Sequence, residues 1–208
     1  MENISVVNKL HPNSTISELK VSNESNTYSL APEYISTDSL ELVPIFEANF
    51  NDIRELYRYT DDEVFLNYGS NRHMLPSETR DYVISKREMW NSADWFEYVI
   101  VFEDNLIGKT YLNPHSRLDE FESGIWLQKE YWGREFSQEI ADAFMYICFE
   151  LLDASFIAVG CVIQNVKSRK AIEKYIDRYN GSFYGCIPKS DAVYQFTCRR
   201  PYGCCKSS

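Results

Sequence analysis

Residues 122–137, "ESGIWLQKEYWGREFS", carry the groups in this chain whose types and spacing best suit chemistry. A strand-like stretch, a short loop bearing Gly133 and an amphipathic run follow one another. A helix start leaves N–H groups unpaired at the positive end of its dipole, so this arrangement can hold an anion. Gly133 removes bulk where a ligand would approach the backbone. A plain turn is the commoner role for such a glycine, and the loop alone does not decide between the two. Upstream, strand alternation puts Glu122 on one face with Gly124 and Trp126. It is either an exposed strand carboxylate or a group that takes up a proton. With Asp119 and Glu120 it forms an acidic cluster that would attract a protonated amine or simply be solvated. Asn165 suits a helix N-cap, and Tyr175 falls on a helical apolar stripe and reads as core. His11, His73 and His115 are far apart, with no carboxylate or cysteine at ligand spacing. The six cysteines show no metal spacing either, so no metal is expected and the thiols read as reduced.

These residues need elements to position them. Leu40, Leu42 and Val43 suggest a short strand ending near Pro44. "EANFNDIRELYRYT" has Phe50, Ile53, Leu56 and Tyr57 at helical spacing. "PSETRDYVISKREMW" opens a second helix carrying Tyr82, Ile84 and Met89. Two strands, 96–103 and 107–113, join through Glu103-Asp104-Asn105, and a third covers 121–128. A helix over 134–152 presents Ile140, Phe144, Ile147 and Leu151. "SFIAVGCVI" is apolar throughout, as a central strand requires. "NVKSRKAIEKYIDRY" is a further helix, and "GSFYGC" and "AVYQFTCR" close the chain as strands.

The length of 208 residues suits one domain. Apolar content of 44% and aromatic content of 15% are those of a globular chain. The net charge of −10 argues against nucleic-acid or anionic-membrane partners. No apolar run approaches the ~20 residues of a membrane span, and the N-terminus lacks signal-peptide character, so a cytoplasmic location is expected. The sequons at Asn3, Asn13 and Asn23 are discounted accordingly. Residues 1–37, rich in Ser, Asn and Thr, read as a flexible or loosely docked extension. The main domain spans 38–199, and 200–208 form a tail with the unexplained pair Cys204–Cys205.

In their order, "DSLELVPIFEANFNDIREL", "ESGIWLQKEYWGREFSQE", "NVKSRKAIEKY" and "GSFYGC" resemble the GNAT superfamily of acyl-CoA-dependent N-acetyltransferases, most closely its RimJ/RimL-type branch. The resemblance covers residues 39–198. It implies a mixed α/β fold: a twisted sheet of about six to seven strands, helices on both faces, and a V-shaped splay between two central parallel strands. It implies acetyl transfer from acetyl-CoA to a primary amine, a protein N-terminal α-amine or a small molecule, by direct attack in a ternary complex. Backbone groups of Trp126, Leu127 and Gln128 would meet the pantetheine arm and thioester. Trp132, Gly133, Arg134, Glu135, Phe136 and Ser137 would take the pyrophosphate. Asn165 and Ser168 would lie beside the arm, with Ser168 and Glu122 as catalytic candidates. The oligomeric state is left open, a homodimer among the states allowed.

Two departures accompany the resemblance. Glu135 stands where the family's phosphate loop has its first glycine. At ordinary helical φ/ψ its side chain would point to solvent, with Arg134 offering compensating charge. The alternative is a catalytically impaired GNAT-fold protein that binds CoA or an acyl-CoA without turnover. After Asn165, "KYIDRYNGSF" extends the helix by about one turn.

Overall fold

Short runs of alternating apolar residues pair into one sheet in the computed structural model, which describes residues 5–7, 12–23, 30–68, 72–115, 119–187 and 193–199. The strands are β1 (Ser5–Val7), β2 (Leu19–Ser22), β3 (Tyr34–Ser36), β4 (Glu41–Pro44), β5 (Phe96–Phe102), β6 (Asn105–Pro114), β7 (Glu120–Leu127), β8 (Phe156–Val162), β9 (Ser182–Ile187) and β10 (Val193–Arg199). Their order is β1-β2-β3-β4-β5-β6-β7-β8-β10-β9. Pairing is antiparallel at each of these junctions except β7 with β8, which run parallel. The β5–β6 turn has Glu103 and Asp104 at φ 47° and 63°, the paired left-handed residues whose twist suits a two-residue hairpin.

Among the described residues five α-helices flank the sheet: α1 (Phe50–Tyr59), α2 (Asp62–Tyr68), α3 (Pro76–Asn91), α4 (Phe136–Tyr146) and α5 (Val166–Arg178). Asn49 caps α1 by accepting from the amides of Asn51 and Asp52. Pro76 opens α3, where Glu78 accepts from the amides of Met74 and Leu75. The sheet separates two cores. Neighbours on one strand divide between them: Leu127 joins Ile140, Phe144 and Ile172 beneath α4 and α5, whereas Trp126 joins Ile53, Leu56, Tyr57 and Phe65 beneath α1 and α2.

Several expectations need correction. The segment read as a flexible or loosely docked extension adds β1, β2 and β3, which accounts for the strands beyond the expected six to seven. Leu19, Ala31 and Ile35 are fully buried. Two buried acids of α4 hold the segment: Asp142 accepts from the Thr15 amide and hydroxyl, and Glu139 from the Thr37 hydroxyl and Ser39 amide. Each strand is three or four residues long, too brief for a periodic signal. The short α2 escaped the sequence reading for the same reason. Leu151, placed on the buried stripe, is exposed, because α4 continues as a π-helical turn over Ile147–Leu151 and the extra residue rotates the face. On α3, Ile84 and Met89 are exposed while Trp90 is buried. The tail 200–208, with Cys204 and Cys205, lies outside the described residues, as do Asn3 and His11.

Candidate active site

β7 and β8 pair in parallel from Glu120 with Phe156 to Ser123 with Val159, and there the pairing stops. Beyond it, Gly124–Leu127 remain joined to β6, and Gly160–Val162 to β10. The two central strands therefore splay, leaving facing edges that carry main-chain donors and acceptors. The Gln128 amide donates to Ile107 of β6, so alternation turns the main-chain groups of Leu127 and Ile125 toward the splay. The Trp126 carbonyl instead faces Gly108 of β6, where a Cβ would come within 2.2 Å of it. Its indole is buried beside Tyr57 and Phe65. Trp126 thus lines the wall on the α1–α2 side, while Ile125 and Leu127 turn their main-chain groups toward the splay. The Leu127 carbonyl accepts from the Trp132 indole N–H at 2.8 Å, which ties the following loop to the strand end.

That loop is a 3₁₀ turn over Lys129–Tyr131, then Trp132 extended, Gly133 at φ 80° and Glu135 at φ 63°. A Cβ at Gly133 would meet nothing within 4 Å, so the approach to the backbone is open. Helix geometry leaves the first amides of α4, at Phe136 and Ser137, without an intrahelical acceptor. The Glu135 carbonyl takes the amides of Gln138 and Glu139. Glu135 does not have the expected helical φ/ψ. Its left-handed conformation is the one a glycine supplies at no steric cost, and it turns the carboxylate outward to Lys174 of α5, 3.4 Å away, rather than onto the helix end. Cations surround the loop: Arg134 lies over the Phe102 and Tyr131 rings and Lys167 over Trp132. The Phe136 side chain is buried against Phe102.

Asn165 and Ser168 form the other lip, after β8. Asn165 caps α5, its side chain accepting from the Ser168 amide at 3.0 Å. Burial pushes the Cys161 thiol up, and the neighbouring Ser168 side chain opposes the shift. Tyr175 is buried core, as its stripe implies.

Glu122 lies one turn of strand before the splay, on the α1–α3 side of the sheet. The Tyr111 hydroxyl donates to its Oε1 at 3.4 Å, and His115 Nε2 stands 3.5 Å from its Oε2. His115, read as a lone loop histidine, therefore has a carboxylate partner reached across the β6–β7 pair instead of along the sequence.

A buried polar cluster on this same side was not anticipated. Glu97 of β5 accepts from Lys109 Nζ at 3.0 Å, from the Trp95 indole at 3.0 Å and from the Tyr82 hydroxyl, with Lys86 Nζ 3.4 Å away. Burial alone would raise the Glu97 pKa; Lys109 and Lys86 overcome it and hold the carboxyl below its ordinary range. The signal was present, since Lys109 shares the inward phase of Trp126, its cross-strand partner.

Residues 39–175, well over half of the chain, match the acetyltransferase (GNAT) domain family. The chain belongs to the GNAT acetyltransferase family. It is 24% identical over 147 residues to the uncharacterized N-acetyltransferase YnaD of Bacillus subtilis (strain 168), covering 71% of this chain and 85% of that one. Among solved structures, it resembles the Salmonella typhimurium acetyltransferase that modifies the N-terminal serine of 50S ribosomal subunit protein L7/L12. There the TM-score is 0.67 at 15% identity, over 79% of this chain and 96% of the other. A RimL ribosomal L7/L12 α-N-protein acetyltransferase in complex with coenzyme A gives a TM-score of 0.60 at 15% identity, over 78% and 95% of the two chains. These likenesses show the GNAT fold. No helix among the described residues is long and apolar enough to cross a membrane.

Proposed function

We propose that this GNAT member transfers an acetyl group from acetyl-CoA to a primary amine, with a protein N-terminal α-amine as the first acceptor class to test. The observation that carries the reading is the end of β7–β8 pairing beside a helix start whose amides stay open. The residues suit the cosubstrate. The main-chain groups of Ile125 and the Leu127 N–H offer a strand edge to an amide-bearing arm, the Leu127 carbonyl being taken by the Trp132 indole. Phe136 and Ser137 offer amides to a diphosphate, Gly133 leaves the approach clear, and Arg134 and Lys167 supply positive charge. Bound there, acetyl-CoA would supply an activated thioester carbonyl.

The chain's own groups do the rest. Main-chain N–H groups at the splay present donors to the acyl oxygen. Glu122 takes the proton that the amine must lose, directly or through water. Ser168 offers its hydroxyl to the departing sulfur. The N-terminal acceptor rests on what the RimL-type neighbours are described as modifying, and the acidic surface around Glu122 suits a cationic amine. Glu135 does not favour the impaired alternative, because its carboxylate is drawn to Lys174 and away from the open amides.

Thiol release from acetyl-CoA, measured with N-terminal peptides and with small amines, tests the reading, alongside calorimetry with CoA. Saturable CoA binding with amine-dependent thiol release is expected. Binding without release across both acceptor sets would favour the impaired alternative, and absence of saturable heat would remove the cofactor assignment.

A further inference from the structure

Tyr111 stands between two carboxylates and serves one of them. Its Cα pairs with Glu97 on β5 and with Gly124 on β7. Glu97 is already engaged by Lys109, Trp95, Tyr82 and Lys86, and the Tyr111 hydroxyl donates to Glu122 Oε1. The ring has little freedom to turn elsewhere. It stacks on Trp95 with centroids 4.4 Å apart, and it fills the space above Gly124, where a Cβ would come within 2.6 Å of it. Any side chain at 124 would displace the ring from Glu122. Burial pushes the phenol far above its ordinary range, so it stays a donor at every working pH. The second oxygen of Glu122 stands 3.5 Å from Nε2 of the exposed His115.

We propose that Tyr111 is a positioning residue for the transfer reaction: it fixes Glu122 Oε1 so that Oε2 is presented to the incoming amine. This rests on the role given above to Glu122. The 3.4 Å separation is long for a hydrogen bond, and such contacts tighten when substrate binds.

The test is a double-mutant cycle of Tyr111→Phe and Glu122→Gln, read as kcat and KM in thiol release and as CoA affinity by calorimetry. Phenylalanine keeps the Trp95 stack and the contact over Gly124, so the fold is retained, which a melting curve checks. Tyr111→Phe alone should lower kcat roughly threefold to tenfold, the net worth of one ordinary hydrogen bond, with CoA affinity unchanged. In the Glu122→Gln background it should have no further effect. Full kcat for Tyr111→Phe, or the same loss in both backgrounds, would overturn the assignment of Tyr111 while leaving Glu122 in place. Full activity for Glu122→Gln would overturn both. A uniform rise in KM for CoA would also count against it, because that is the mark of a merely structural role.

Discussion

At the scale of single residues, Gly133 and Glu135 hold one loop in left-handed conformations for different reasons. Gly133 adopts φ 80° with open space where a side chain would stand. Gly133→Val should lower stability by about 2 kcal/mol, the cost of a left-handed L residue. It should weaken CoA binding by more than tenfold, because the side chain would occupy the approach to the amides. Melting curves and calorimetry separate the two effects, and equal CoA affinity in both proteins would remove the loop from the binding site. Glu135 bears similar strain with its carboxylate held by Lys174. Lys174→Met should release that carboxylate and weaken CoA binding severalfold at low salt. The defect should shrink as salt rises, since the pair is exposed, and adding Glu135→Gln should restore affinity. An unchanged Kd for Lys174→Met would show that the carboxylate never competes with the ligand.

Among the elements, α4 has two tasks, presenting open amides at its start and anchoring the N-terminal strands along its length. Asp142 is the hub of the second, accepting from Thr15, from Arg178 at 2.9 Å and from the Tyr179 hydroxyl at 2.9 Å. Asp142→Ala strips a buried charge from its partners and should cost about 3 kcal/mol. Chemical denaturation measures the loss, and faster amide exchange in residues 12–37 should accompany it. Undiminished protection there would mean that the strands hold without the acid. The sequence made α1, α3, α5 and β5 to β8 readable because each repeats its period often enough to register. It hid β2 and β3 because three or four residues make no period, and because Asp142 reaches Thr15 across 127 positions. The site divided in the same way. Gly133 and Glu122 stand out in the sequence as local chemistry, and Ser168 enters as a candidate only through the resemblance. The direction of the Ile125 and Trp126 main-chain groups, and the partnership of Glu122 with Tyr111 and His115, depend on strand register, which composition does not carry.

For the whole molecule, buried charge predicts how stability responds to acid. Glu97 is held below its ordinary value of 4.5 in the folded chain. Its contribution is therefore complete above that value and lost as pH falls through the lower folded one. Burial also lowers the His73 pKa below 6.5. Below 6.5 the unfolded chain thus takes up that proton first, which acts in the same direction. Urea midpoints should decline from about pH 6.5 and more steeply below 4.5. Glu97→Gln alone should destabilise strongly by leaving Lys109 buried without its counter-charge. Glu97→Gln combined with Lys109→Met should recover most of that loss and flatten the acidic limb. An unaltered acidic limb in the double variant would assign it to other carboxylates. The anchoring of β2 and β3 has a consequence for anyone handling this protein. Thr15 and the amides at Phe136 and Ser137 hang from the same helix, so trimming the chain's front for convenience should loosen the proposed diphosphate site from behind. A shortened version that bound CoA poorly would be reporting a slackened tether, and a tag placed there should be judged by the same measure.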